Sequence, residues 1–137
     1  MTVGLVILLM ILMGILDLGR LYFVYQALQD AAGEGALYLA IHPENSCYYT
    51  TYSGNCADPN NAQYRAAYAG DVNFARDILA LSTGPDGFDA SISSTTPRIA
   101  TVTIHYNFQP VTPLIGAIAH YVPIRLGATA SALVIES

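Results

Sequence analysis

Two cysteines, Cys47 and Cys56, are the only thiols in the chain, and they bracket a short stretch rich in Tyr, Ser, Thr and Gly. No third or fourth soft ligand lies nearby to complete a zinc site, so the spacing predicts a local disulfide, with two free thiols as the alternative. Such a bridge needs an oxidising compartment and would place the chain after residue 43 outside the cytoplasm. His42, His105 and His120 are far apart and lack metal-ligand spacing, so structural or solvated roles are expected for them, and no metal or cofactor. Ser and Thr gather at 91–96, where they read as turn residues. The sequence holds no Gly-rich phosphate loop, nucleophile elbow or paired-acid motif, and no catalytic residue is assigned: an enzyme is not expected.

Two further features bear on binding. Asp17 and Arg20 stand one helical turn apart at the end of an otherwise apolar run, which predicts a charge pair. A charge at the centre of a bilayer costs about 2.5 to 3.5 kcal/mol on insertion scales, and pairing or snorkelling at the boundary reduces that cost. The alternative is a plain interfacial pair marking the membrane edge. Tyr48, Tyr49 and Tyr52 sit on the Cys-bracketed loop, where large amphipathic rings suit contacts with a partner; packing on the head is the other reading.

The elements that must position these residues follow from composition and period. Hydrophobic residues make up 53% of the 137 positions and charged ones 11%. That charge content is well under the roughly 25% of a soluble domain, so much of this surface must meet something other than water. There is no Lys, and five Arg against ten Asp and Glu leave a net charge of -5, which excludes a basic patch for phosphates and hence a nucleic-acid partner. From Met1 to Leu16 there is no charge, and sixteen helical residues at about 1.5 Å each reach about 24 Å, a little short of the roughly 30 Å hydrocarbon core. An uncleaved anchor is expected over a signal peptide, which wants a basic start and a small-residue cleavage site, because this segment has no basic start and continues straight into more helix.

From Leu18 to Ile41 apolar residues recur at spacings of three and four (Leu21, Val24, Leu28, Ala31, Gly35, Tyr38, Ile41), with Gln26, Asp30 and Glu34 on another face. One helix is therefore predicted to about His42, ended by Pro43. Asp58 and Pro59 read as N-cap and first position of a second helix to about Ser82, bent near Gly70. "TGPDG" marks a turn, after which the period becomes twofold in 88–92, 98–108 and 124–134. Between the last two strands, Thr112 and Pro113 open a short apolar helix. The expected fold is α+β: a long N-terminal transmembrane and amphipathic helix (1–42) packed on an extracytoplasmic head (43–137) with a disulfide loop, a second helix and a three-stranded antiparallel sheet.

The stretch "GILDLGRLYFVYQALQDAAGEGA" resembles the N-terminal signature of TadE-like proteins of tight-adherence (Flp/Tad, type IVc) pili. Asp17, Gly19, Arg20, Ala27, Ala31, Ala32, Glu34, Gly35 and Ala36 fall on that pattern. The segments "RIATVTIHYNFQPVTPLIG" and "IRLGATASALVIE" are similar to the family's closing strands, with a turn at Pro110, Thr112 and Pro113. Residues 43 to 96 lie outside the resemblance. The sequence departs from the family's usual pattern at position 5, where Leu5 stands in the region that ordinarily carries a Glu read by the prepilin peptidase. The resemblance implies a pilin-like structural subunit, held in the bacterial inner membrane before assembly and then displayed at the cell surface in an extracellular filament for attachment. Its implied partners are copies of itself or other pilin subunits and the pilus assembly machinery. Within the assembly helix the relevant residues are Gly4, Leu8, Leu12, Gly14 and Ile15, the glycines permitting close helix approach. A monomeric membrane-tethered binding module, or an accessory subunit of a membrane complex, is the competing reading.

Overall fold

The computed structural model describes residues 2–43, 62–69, 72–82, 84–93, 95–110 and 122–135. The first element, α1 (Thr2–Ile41), is a single helix of 40 residues, about 60 Å long at 1.5 Å per residue. Two short helices follow, α2 (Ala62–Tyr68) and α3 (Val72–Leu79), then three strands, β1 (Phe88–Ile92), β2 (Ile99–Phe108) and β3 (Ile124–Leu133). The strands form one antiparallel sheet in the order β1-β2-β3. The α+β architecture predicted by the change of period is thus the one observed, and the strand bounds agree to within a residue.

Strand alternation sorts the sheet into two faces. Phe88, Ala90, Ala100, Val102, Ile104, Phe108 and Ala128 are buried. The intervening Ser91, Asn107, Arg125, Thr129 and Ser131 are exposed, as a half-buried antiparallel sheet requires. On the outer face hydroxyls pair across the strands, Thr101 with Ser131 at 3.2 Å and Thr103 with Thr129 at 3.1 Å. The inner face packs on α1, whose buried stripe is Leu28, Ala31, Ala32, Ala36, Leu39 and Ala40. This stripe differs from the predicted one at its C-terminal end: Ile41 is 48% exposed and Leu39 and Ala40 are buried in its place. An α-helix turns 3.6 residues at a time, so a regular three-and-four pattern leaves two neighbouring faces open, and the sheet chose between them. Gln26, Asp30 and Glu34 are exposed as expected.

Small residues set the distance between α1 and α2. A Cβ placed on Gly35 would lie 3.2 Å from the Cβ of Ala66 and 3.5 Å from both the Ala62 carbonyl oxygen and Cγ1 of Val102. The second predicted helix is two helices. The amide of Gln63, in the first turn of α2, donates to the carbonyls of Ile78 (3.1 Å) and Leu81 (3.3 Å) at the far end of α3. The two segments therefore fold back on each other, a reversal rather than a bend. Asp58, Pro59 and the Thr112–Pro113 segment lie outside the described residues.

The turn before β1 is closed by bonds from the Gly84 N–H to the Phe88 carbonyl (2.9 Å) and from the Phe88 N–H to the Ser82 carbonyl (2.9 Å). Gly84 has a φ of 131°, a region open to glycine, and a Cβ on Gly87 would run into the Ser82 carbonyl. In the β1–β2 turn Ser93 Oγ accepts the Thr95 N–H at 3.2 Å, the turn role predicted for this Ser/Thr cluster. The Ile135 N–H donates to the Ala40 carbonyl at 3.1 Å and ties the end of the sheet to the end of α1.

Candidate assembly helix and membrane-side cleft

From Val3 to Leu16 every described side chain of α1 is exposed, except that Gly14 is half-buried. Leu8 is 67% exposed, Leu12 54% and Ile15 60%, and a Cβ on Gly4 would meet nothing within 4 Å. Fourteen residues, about 21 Å of helix, thus project from the head with apolar groups on all sides. Each large apolar side chain left in water forgoes about 1.5 to 3 kcal/mol of burial, so in sum this surface requires lipid or other helices. The helix is long and apolar enough to cross a membrane.

The head first reaches the helix at Asp17, which is 6% exposed. Arg20, one turn on, is exposed, and its guanidinium carbon lies 5.9 Å from the ring centroid of Phe108 at the end of β2. This is a cation–π contact, and it leaves the in-plane N–H donors of the guanidinium for other acceptors. Tyr22, Phe23 and Tyr25 are exposed on the next turn (62%, 67% and 38%), where the amphipathic rings of the two tyrosines suit the headgroup level of a membrane.

Three elements converge beside this turn on an open cleft of about 390 Å³ lined by Arg20 and Val24 of α1, Asp77 of α3, Tyr106, Asn107 and Phe108 of β2, and the following Gln109. The Tyr106 hydroxyl donates to Asp77 Oδ2 at 3.3 Å. Burial, then the Asp77 charge and this hydrogen bond, push the Tyr106 phenol above its ordinary value, with Arg20 acting in the opposite direction. The phenol therefore remains a donor at neutral pH. The sequence puts Asp17 and Arg20 at a boundary but does not announce Phe108, Asp77 and Tyr106 as the surroundings of Arg20. The alternation of 98–108 puts Tyr106 and Phe108 on one apolar face with Ala100, Val102 and Ile104, but does not say which turn of α1 they meet.

A second cation–π contact, Arg65 over Tyr38 at 5.6 Å, and the stacked pair Tyr38 and His42 at 4.9 Å cover the other end of α1. Among the described residues no group of three or more His, Cys, Asp and Glu is arranged to hold a metal ion. Cys47, Cys56, Tyr48, Tyr49 and Tyr52 lie outside the described residues.

This geometry concentrates the unusual features of the chain in its first helix, and that is where the comparison with known families falls. The family model of the TadE-like proteins matches residues 1–37. The TadE-like match spans the projecting segment, Asp17 and Arg20, and the alanine-rich turns that pack on the sheet, and it links α1 to a family involved in the Tad pilus. The N-terminal resemblance read from the sequence is borne out over these residues, while the closing strands lie beyond the matched range. No curated protein and no solved structure matches the chain.

Proposed function

We propose that the chain is a pilin-like structural subunit of a tight-adherence pilus, anchored through α1 in the inner membrane with its head on the extracytoplasmic side, and assembled through the projecting segment into a surface filament. The observation that carries this reading is the continuity of α1: an all-round apolar projection passes without a break into the core of the head, within a helix that matches TadE-like proteins. Such a rod can exchange lipid for the helices of neighbouring subunits. Gly4, Leu8, Leu12, Gly14 and Ile15 are its contact residues, with small side chains admitting close approach. Asp17 and Arg20 act as a pair that offsets the cost of charge while the helix is inserted. Tyr48, Tyr49 and Tyr52, on a loop closed by a Cys47–Cys56 bridge, present the partner-facing surface of the head.

The test is electron microscopy of sheared surface material with antibody against the head. Labelled filaments are expected. Recovery of the chain only from detergent-solubilised membranes would favour the tethered binding module instead. For the bridge, alkylation without reductant is expected to leave the mass unchanged, and labelling of both thiols would count against it.

A further inference from the structure

The cleft beside Arg20 lies at a defined depth. Asp17 and Arg20 are the first charged side chains after the apolar run of α1. Arg20 therefore leaves the apolar region at the level where lipid phosphates begin, and the exposed rings of Tyr22, Phe23 and Tyr25 mark the same level. The cleft that opens here carries opposite charges on its two walls: Arg20 on α1, backed by the Phe108 ring, and Asp77 on α3, held by the Tyr106 hydroxyl. Asn107 and Gln109 also line the cleft. A cavity with a cation, a carboxylate and neutral donors suits a zwitterion better than a simple anion, which the carboxylate would repel.

We propose that this cleft binds the headgroup of a phospholipid carrying a primary ammonium, such as phosphatidylethanolamine, with its phosphate on Arg20 and its ammonium on Asp77. The inference rests on the membrane-anchored reading of α1. A guanidinium has five N–H donors, so a pairing with Asp17 and the stack on Phe108 still leave donors for phosphate oxygens, and a carboxylate that accepts one phenol hydrogen bond retains lone pairs for the three donors of an ammonium. The lipid would hold the head at a fixed height and angle on the leaflet before assembly, and would have to be shed when the subunit is extracted.

The full chain in mild detergent, mixed with equal amounts of phosphatidylethanolamine and phosphatidylglycerol, can be examined by native mass spectrometry. The unmodified chain is expected to retain phosphatidylethanolamine over phosphatidylglycerol by about fivefold, the ratio one partly exposed ion pair supplies. Asp77→Asn should bring that ratio close to one, and Arg20→Gln should lower retention of both lipids. Equal retention by the unmodified chain, or a preference that survives Asp77→Asn in a chain with unchanged circular dichroism, would overturn the assignment. Glycerophosphoethanolamine and inorganic phosphate form the soluble arm: displacement of the lipid by either at equal concentration would show a solute site and overturn the lipid assignment. Flotation of the unmodified chain with vesicles reads anchoring separately, so failure to float would sink the anchored reading, and flotation without lipid preference would sink the headgroup site alone.

Discussion

Gly33 and Gly35 show how much a single hydrogen atom in place of a methyl group can carry. Both lie within α1, and in a helix glycine costs about 1 kcal/mol relative to alanine. At Gly33 an added Cβ meets nothing within 4 Å, whereas at Gly35 it meets Ala66 at 3.2 Å. Gly33→Ala should therefore raise the stability of the head by up to about 1 kcal/mol, while Gly35→Val should lower it by about 1 to 3 kcal/mol, as overpacking does; chemical denaturation in detergent separates the two. Tyr106 makes a pH prediction. Its phenol is raised above 10.0 in the fold, so the folded state holds the proton more tightly than the unfolded chain. The stabilisation is complete below the ordinary value and is lost as pH rises through the folded one. The loss of stability between about pH 9 and 11 should be shallower in Tyr106→Phe than in the unmodified chain. Tyr64, raised chiefly by the charge of Tyr68, contributes in the same direction to both proteins and cancels in the comparison.

Between elements, the decisive contacts are those that no local pattern announces. The strands were legible because twofold alternation is written in adjacent residues such as Val102, Thr103 and Ile104, and the anchor because sixteen positions carry no charge. The reversal between α2 and α3 was not, since it depends on Gln63 reaching the carbonyls of Ile78 and Leu81, distant along the chain. The cleft was hidden for the same reason: Arg20, Asp77 and Phe108 belong to three elements whose docking is a matter of packing, not period. Gln63→Leu should cost about 1 to 3 kcal/mol because it leaves two carbonyls without their donor. A lowered urea midpoint with helix content falling before sheet content would support this order of importance; an unchanged midpoint would count against it.

For the molecule as a whole, the core crosses the expected division between helix and head. Leu28, Ala32, Ala36 and Leu39 of α1 are buried with Phe88, Ile104 and Ile78. A chain beginning at Pro43 lacks these side chains and should not fold, whereas one beginning at Gly19 keeps all of them and should yield a folded head that no longer floats with vesicles. Circular dichroism and flotation of the two truncations test this directly. Folding of the shorter chain would show that α1 is dispensable to the head.

The unbroken course of α1 has a mechanical meaning. A load applied at Thr2 travels along a continuous hydrogen-bonded helix to Ile41 and enters the sheet through side-chain packing and the Ala40–Ile135 bond, without a linker that could stretch first. Along this path tension meets helix and core together rather than one before the other.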